Sequence, residues 1–417
     1  MAIEEQSPAA DTRIVGRMSG VVIGIAMVVA NVANYGFQIV VGRFLTVEEY
    51  GLLAGFMAVV TVITVGGTAL QTTAARAVAT EAHHPYRGFI DGLTRSSLTV
   101  SVVLILAAIV ISPIASRFFN IGSLPLILLG VFVVPAVLDS IALGRLQGLE
   151  RFKTMALYST GQAISKVAVA TLVLAVGFRA TGLVAGLILS STVAALVGLR
   201  WSRAAGSIEV HALDPDVRRA FAAFTMLWFI LGADVLFARA FFVDTDAGLY
   251  GAASVLGKAV LWVPAVVAQL IFPKLASRSK RGDSVSALAA RAAAIVSVVV
   301  ACSVAGLWLL GDTLFLVLYG EEYAGAADTA WKIGLAVAPL ALVNLLIQHF
   351  LARQQGHFLL AMFIVLVVEV LALYLGPKTD DFYAFVLATS GVALLGMTIP
   401  GYVWRRSFRR VVEPRRG

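Results

Sequence analysis

The chain has 417 residues, 59% of them hydrophobic and 13% charged, with a mean hydropathy of +0.91. Soluble domains carry roughly 25% charged residues, so the composition excludes a water-solvated globular protein and makes lipid the main solvent. The net charge of +8 reads as the Lys and Arg excess that orients membrane loops; no basic stretch is interleaved with exposed aromatics, which argues against nucleic acid as a partner.

Residues 1–18 are polar and form an expected cytoplasmic tail. Apolar runs of about 20 residues then recur, each read as a membrane-spanning helix. The expected spans are 19–42, 50–74, 97–117, 122–147, 155–177 and 180–200, making an N-terminal lobe at 19–200. A linker at 201–218 leads to spans 219–243, 248–273, 289–311, 327–352, 358–376 and 381–403, a second lobe at 219–403, and a basic tail at 404–417. The fold class is thus an all-α polytopic membrane protein with about twelve transmembrane helices. The first run is too long for a signal-peptide core and reads as a retained span. Pro135, Pro264, Pro339 and Pro400 predict kinks within apolar helices. The single cysteine, Cys302, allows no intramolecular disulfide and is expected as a buried, inert thiol.

Charge orients the spans. Arg13 and Arg17, Arg76 to Arg95, Arg145 to Lys153, Arg200 to Arg219, Lys274 to Arg291, Arg353 and the tail from Arg405 share one set of loops. The opposite loops hold only Arg43, Arg117, Arg179 and Lys378, alongside Glu48, Glu49, Asp244, Asp246, Asp312, Glu321, Glu322, Asp328, Asp380 and Asp381. By the positive-inside rule both termini are cytoplasmic, as an even number of spans requires. The acidic loops are short, the longest expected from Gly311 to Asp328, and leave no external domain that could house a glycan-processing active site.

An internal repeat is visible. Arg43 to Gly51, RFLTVEEYG, and Arg239 to Gly248, RAFFVDTDAG, each join an arginine, an apolar exit, an acidic turn and a helix-opening glycine. Gln71 with Arg76 is echoed by Gln269 with Lys274, and Gln147, Gly148 and Phe152 by Gln355, Gly356 and Phe358. Three echoes in the same order indicate two homologous halves of about six helices in parallel orientation, with substrate held between them near mid-bilayer.

Ionisable groups at membrane depth cost about 3 kcal/mol each, so Asp139, Lys166, Asp234, Arg239, Lys258 and Glu369 need partners or a wet cavity. Asp234 lies ten residues before Asp244 and Lys258 ten residues after Gly248, each about 15 Å along a helix from the turn, so they can meet across antiparallel neighbours. Arg239 is about 7 Å from that turn and about 140° around the helix from Asp234, which predicts a separate partner or snorkelling. One reading makes these groups neutralising pairs that fix helix register. The other makes Lys258, Lys166, Arg239 and Arg76 contacts for an anionic substrate, with Asp234, Glu369 and Asp139 as candidates for a coupling proton or sodium ion.

Sharper signatures fail. Gly251 to Lys258, GAASVLGK, has five residues between its glycines and Ala259 in place of a magnesium-binding hydroxyl, which rejects ATP. The histidines form no spaced metal pair. Neither an organic cofactor nor a metal is expected.

Asn34 to Phe56, Ala233 to Ser254, the VVAQLIFPKLA segment and the LFLVLYGEEYAGAADTAWKIG segment resemble bacterial polysaccharide and oligosaccharide flippases, within the superfamily that includes multidrug and toxin extrusion transporters. The resemblance implies two pseudo-symmetric six-helix bundles around a central cavity. It also implies transfer of an undecaprenyl-pyrophosphate-linked glycan across the bacterial cytoplasmic membrane, with membrane lipids and a polysaccharide polymerase or glycosyltransferases as partners. Cationic cavity residues of the family serve pyrophosphate or acidic sugars, which suits Lys166, Arg239 and Lys258. Many members have two further spans, so features of those helices do not carry over. The alternatives are a drug or metabolite antiporter of the same architecture, and a membrane glycan polymerase or ligase.

Overall fold

The computed structural model describes residues 26, 28–30, 32–80, 89–119, 122–202, 215–261, 286–352 and 356–412. After the helical residues 32–44 (α1) come α2 (Val47–Thr80), α3 (Phe89–Phe118), α4 (Ser123–Gly148), α5 (Phe152–Ala175), α6 (Ala180–Trp201), α7 (Pro215–Phe241) and α8 (Asp244–Lys258). A 3-10 turn, Ala259–Leu261, follows α8, and then α9 (Ser286–Leu318), α10 (Ala326–Ala352), α11 (Phe358–Leu375) and α12 (Asp380–Val412). Among the described residues there is no strand, and nine helices are long and apolar enough to cross a membrane. The protein is a multi-pass, all-helical membrane protein, since a bilayer core admits backbone only with its hydrogen bonds satisfied internally.

The helices begin where the acidic turns say they should. Thr46 and Glu49 form a capping box at the start of α2, with Glu49 N–H donating to Thr46 Oγ1 (3.4 Å) and Thr46 N–H to Glu49 Oε2 (3.3 Å). Asp244 and Asp246 occupy the first turn of α8, Asp328 that of α10, and Asp380 and Asp381 that of α12. Carboxylates there complement the positive end of each helix dipole, so the acidic loops have a local structural reason as well as a topological one.

Three expectations change. The span foreseen at 248–273 has its α-helix end at Lys258, where the backbone tightens into the 3-10 turn; residues 262–285, with Pro264, Gln269 and Lys274, lie outside the described residues. The loop foreseen from Gly311 is shorter, because α9 continues to Leu318. Cys302 is exposed on α9, as are Trp308 and Leu309 on the same helix, and is not packed into a core. Pro113, Pro135 and Pro339 all lie inside continuous helices.

Contacts divide the chain into two compact units. The first comprises Met1–Phe44, Leu70–Val110 and Ile127–Ala212; the second comprises Leu45–Ala69, Ile111–Leu126 and Leu213–Gly417. In the first, α4 rides on the end of α2, where Gly144 and Gly148 leave room for the Gln71 and Ala75 carbonyls, and Gln71 donates to Gln147 (3.0 Å). The α5–α6 pair packs Tyr158 against Gly198.

In the second unit α10 is the hub, packed against α7, α8, α9 and α12, while α11 packs against α7 and α12. Here the two echoed turns lie against each other. A Cβ on Gly248 would come 1.9 Å from the Val47 carbonyl oxygen, and one on Gly51 would come 2.9 Å from the Gly248 nitrogen. Thr245 Oγ1 donates to Glu48 Oε1 across the same seam (3.0 Å). Only glycine permits backbones this close.

Candidate functional site

The strongest concentration of buried charge lies in the second unit, on α7, α8, α11 and α12. Asp234, two turns before the C-terminal end of α7, is fully buried (0% exposed). Lys258, the last residue of α8, places its ammonium 2.7 Å from Asp234 Oδ1 and 2.8 Å from Oδ2. Tyr250, two helical turns earlier on α8, donates its hydroxyl to Asp234 Oδ2 (2.9 Å). Residues eight apart on a helix share a face, so one face of α8 supplies three hydrogen bonds to one carboxylate. The pair meets as the depth arithmetic predicted. The Lys258 side chain keeps 17% exposure, so the ammonium is the accessible member.

Glu369 on α11 joins this cluster. Its side chain is buried (1% exposed), and the charges of Asp234 and Lys258 act on it. Ser390 on α12 offers its hydroxyl to this carboxyl group, although no donor meets either Glu369 oxygen in good hydrogen-bonding geometry. Two carboxyl groups and one ammonium therefore share a largely buried cluster, in which Asp234 is the well-satisfied carboxylate. Phe242, Tyr250 and Tyr383 pack edge-on or tilted at centroid distances of 4.9 to 6.0 Å and screen the pocket from the acidic turns.

Arg239 does have its own partner: Nη1 lies 2.8 Å from Asp244 Oδ1 across the α7–α8 turn. The guanidinium is 6% exposed, so it is held and neutralised below the turn and does not snorkel outward.

The first unit contains a different arrangement. Lys166, at mid-length on α5, donates to Asn34 Oδ1 (2.6 Å) and sits 4.6 Å from the centroid of the Phe37 ring. Among the described residues no carboxylate lies within ion-pair distance of it, which leaves a partly buried cation held by an amide and a π face. Asp139 on α4 accepts from Tyr158 Oη and Gln162 Nε2, each at 2.6 Å, in a network closed by the Gln162–Tyr158 bond (2.9 Å). Arg76 belongs to α2, but its side chain lies outside the described residues.

The structure thus joins Asp234, Lys258 and Glu369, gives Arg239 and Asp139 separate structural partners, and leaves Lys166 as a distinct cationic point. Sequence reasoning missed Tyr250, Ser390, Asn34 and Phe37. Tyr250 carried a usable signal, since it stands eight residues before Lys258 on the same helix face.

A profile of the family described as "Polysaccharide biosynthesis protein" matches residues 40–328, more than half of the chain. No curated protein sequence matches significantly. Solved structures share the fold at low identity. A multidrug resistance MATE family transporter of the MOP superfamily, in an inward-facing conformation, is 12% identical with a TM-score of 0.71, over 94% of this chain and 99% of that one. The lipid II flippase MurJ, in an inward closed conformation, is 13% identical with a TM-score of 0.71, over 90% and 87%. An outward-facing MATE family transporter is 15% identical with a TM-score of 0.58, over 94% and 95%.

Proposed function

The chain belongs to the polysaccharide biosynthesis protein family, and on that ground we propose that it is a flippase, not an enzyme, which carries a lipid-linked oligosaccharide across a bacterial cytoplasmic membrane. The substrate is an undecaprenyl-pyrophosphate-linked repeat unit, both termini are cytoplasmic, and the cycle is alternating access driven by an ion gradient. The observation that carries this reading is the placement of charge. Membrane-spanning helices hold Lys166 with neutral partners among the described residues, and hold Lys258 as the accessible member of a cluster with a spare carboxyl group. Ionisable groups at that depth mark substrate and ion pathways. Lys166 suits a pyrophosphate or acidic sugar, because its charge is not spent on a carboxylate; Lys258 can serve the same anion when it leaves Asp234.

The test follows surface polysaccharide alongside membrane abundance for Lys166→Ala and Lys258→Ala, with the purified proteins assayed for transfer of fluorescent lipid-linked glycan in vesicles. Loss of transfer at normal abundance is expected for Lys166→Ala. Unchanged transfer by both variants would remove these cations from the mechanism.

A second reading, a drug or metabolite antiporter, is favoured by the buried carboxyl pair Asp234 and Glu369, which a cationic substrate would need. Substrate-induced proton release from purified protein, abolished in Asp234→Asn, would support it over glycan transfer.

A further inference from the structure

We propose that the coupling ion is a proton carried by Glu369, and that Lys258 responds to its loss by moving from the Asp234 carboxylate to the Glu369 carboxylate. This deepens the site described above and rests on the transporter reading. The first support is a contrast within a single pocket. Asp234 receives three well-formed hydrogen bonds, whereas Glu369, a side chain just as buried, has the Ser390 hydroxyl beside it and no donor in good geometry on either oxygen. With every group ionised the cluster would carry one net negative charge and leave the full desolvation penalty of Glu369 uncompensated. A single proton on Glu369 makes the cluster neutral.

A sodium ion suits this place poorly. It needs a shell of oxygens, but both Asp234 oxygens are already taken by the ammonium, and Ser390 supplies the neutral oxygen near Glu369 among the described residues. A metal cation would also be repelled by Lys258 through a medium of low dielectric constant. The polar and titratable groups facing the pocket are Asp234 from α7, Tyr250 and Lys258 from α8, and Ser390 and Tyr383 from α12.

The step balances simply. The Glu369 O–H bond breaks, and the proton passes to water on whichever side has opened. The electron pair stays on the carboxylate, and the Lys258 ammonium keeps its three protons. Its four-carbon stem is flexible, and α11 packs against α7, which carries Asp234, so the exchange asks for a change of side-chain rotamer at Lys258. Asp234 keeps the Tyr250 hydroxyl. Lys258 is thus a positioning residue. Because the α-helix of α8 ends at Lys258 and passes into a 3-10 turn, its choice of partner bears on a junction where the backbone already changes geometry.

Infrared difference spectra of the purified full-length protein across pH read this directly. A protonated carboxyl band that disappears as pH rises is expected in the wild type, absent in Glu369→Gln, retained in Glu369→Asp and displaced in Lys258→Met. In vesicles a pH gradient should drive glycan transfer, a sodium gradient at equal pH should not, and Glu369→Gln should lose at least about tenfold of the driven rate. A band that survives in Glu369→Gln, or transfer driven by sodium alone, would overturn the proposal. An undisplaced band in Lys258→Met would overturn the exchange of partners. If neither gradient moves glycan, the flippase reading fails, and the band still decides whether Glu369 carries the proton.

Discussion

Two places in the second unit hold the same inventory of one lysine and two acids. At the start of α10 and α12, Lys332 bridges Asp328 (2.5 Å) and Asp381 (2.7 Å), whose side chains are largely exposed. In the interior, Lys258 meets Asp234 but not Glu369. Near water, two carboxylates can gather round one ammonium, because solvent screens their repulsion and hydrates the surplus charge. Without water the surplus has no such outlet, so one acid takes the cation and the other stands apart. The comparison shows that burial, and not residue type, turns a surface ion cluster into a group able to hold or release a charge.

The comparison can be broken most forcefully at its buried lysine. Lys258→Ala leaves Asp234 charged and uncompensated, a loss of about 3–5 kcal/mol, and membrane abundance should fall steeply. The double variant Asp234→Asn with Lys258→Met should recover most of that abundance, as followed by fluorescence-detected gel filtration. If Lys258→Ala is no worse than the surface variant Lys332→Ala, burial has been given too much weight.

Lys166 sharpens the contrast as a buried cation with no acid in reach among the described residues. Lys166→Met replaces the charge with an apolar chain of similar length and should leave thermal stability level or raised. Glycan transfer should fall about tenfold or more, as expected for the loss of a charge-assisted contact to phosphate. A large fall in melting temperature would show that the ammonium holds α1 and α5 together. Lys332→Ala, at the exposed cluster, should cost less than about 1 kcal/mol and leave transfer unchanged.

The smallest effect is expected at Glu48. Its own backbone N–H, then the hydroxyls of Thr46 and Thr245, hold this carboxyl below its usual range. Its contribution to stability is therefore present above the ordinary carboxylate pKa, about 4.3, and is lost as pH falls through the depressed value. Glu48→Gln should flatten only the acid limb of a stability–pH curve, with no shift at neutral pH.

Much of the fold was legible because hydropathy and helix rise are local quantities. Most described helices start close to the foreseen apolar runs, although α3 begins earlier, α2, α9 and α12 run on further and the α-helix of α8 stops sooner, and the Asp234–Lys258 pair followed from counting residues on each side of one turn. The approach of Glu369 was not legible, since it depends on α11 packing against α7, which no local pattern encodes. Nor was the Arg239–Asp244 pair, which needs the turn to fold back. Cys302 was misplaced for a related reason: an apolar helix face looks the same in sequence whether it is exposed or packed against protein, and Trp308 and Leu309 are exposed on the same helix. The partners of Asp139, Tyr158 and Gln162, come from the neighbouring helix α5 and were likewise out of reach of periodicity.

The seam between Gly51 and Gly248 limits how the sequence can change. Each of the two turns uses the other as its floor, and a methyl group on Gly248 would overlap the Val47 carbonyl of the facing turn. A side chain gained by one turn cannot be offset by shrinking the other, because both are already at the minimum. Elsewhere on these helices a larger side chain can be absorbed by a smaller neighbour, but at this seam neither turn has anything left to give up.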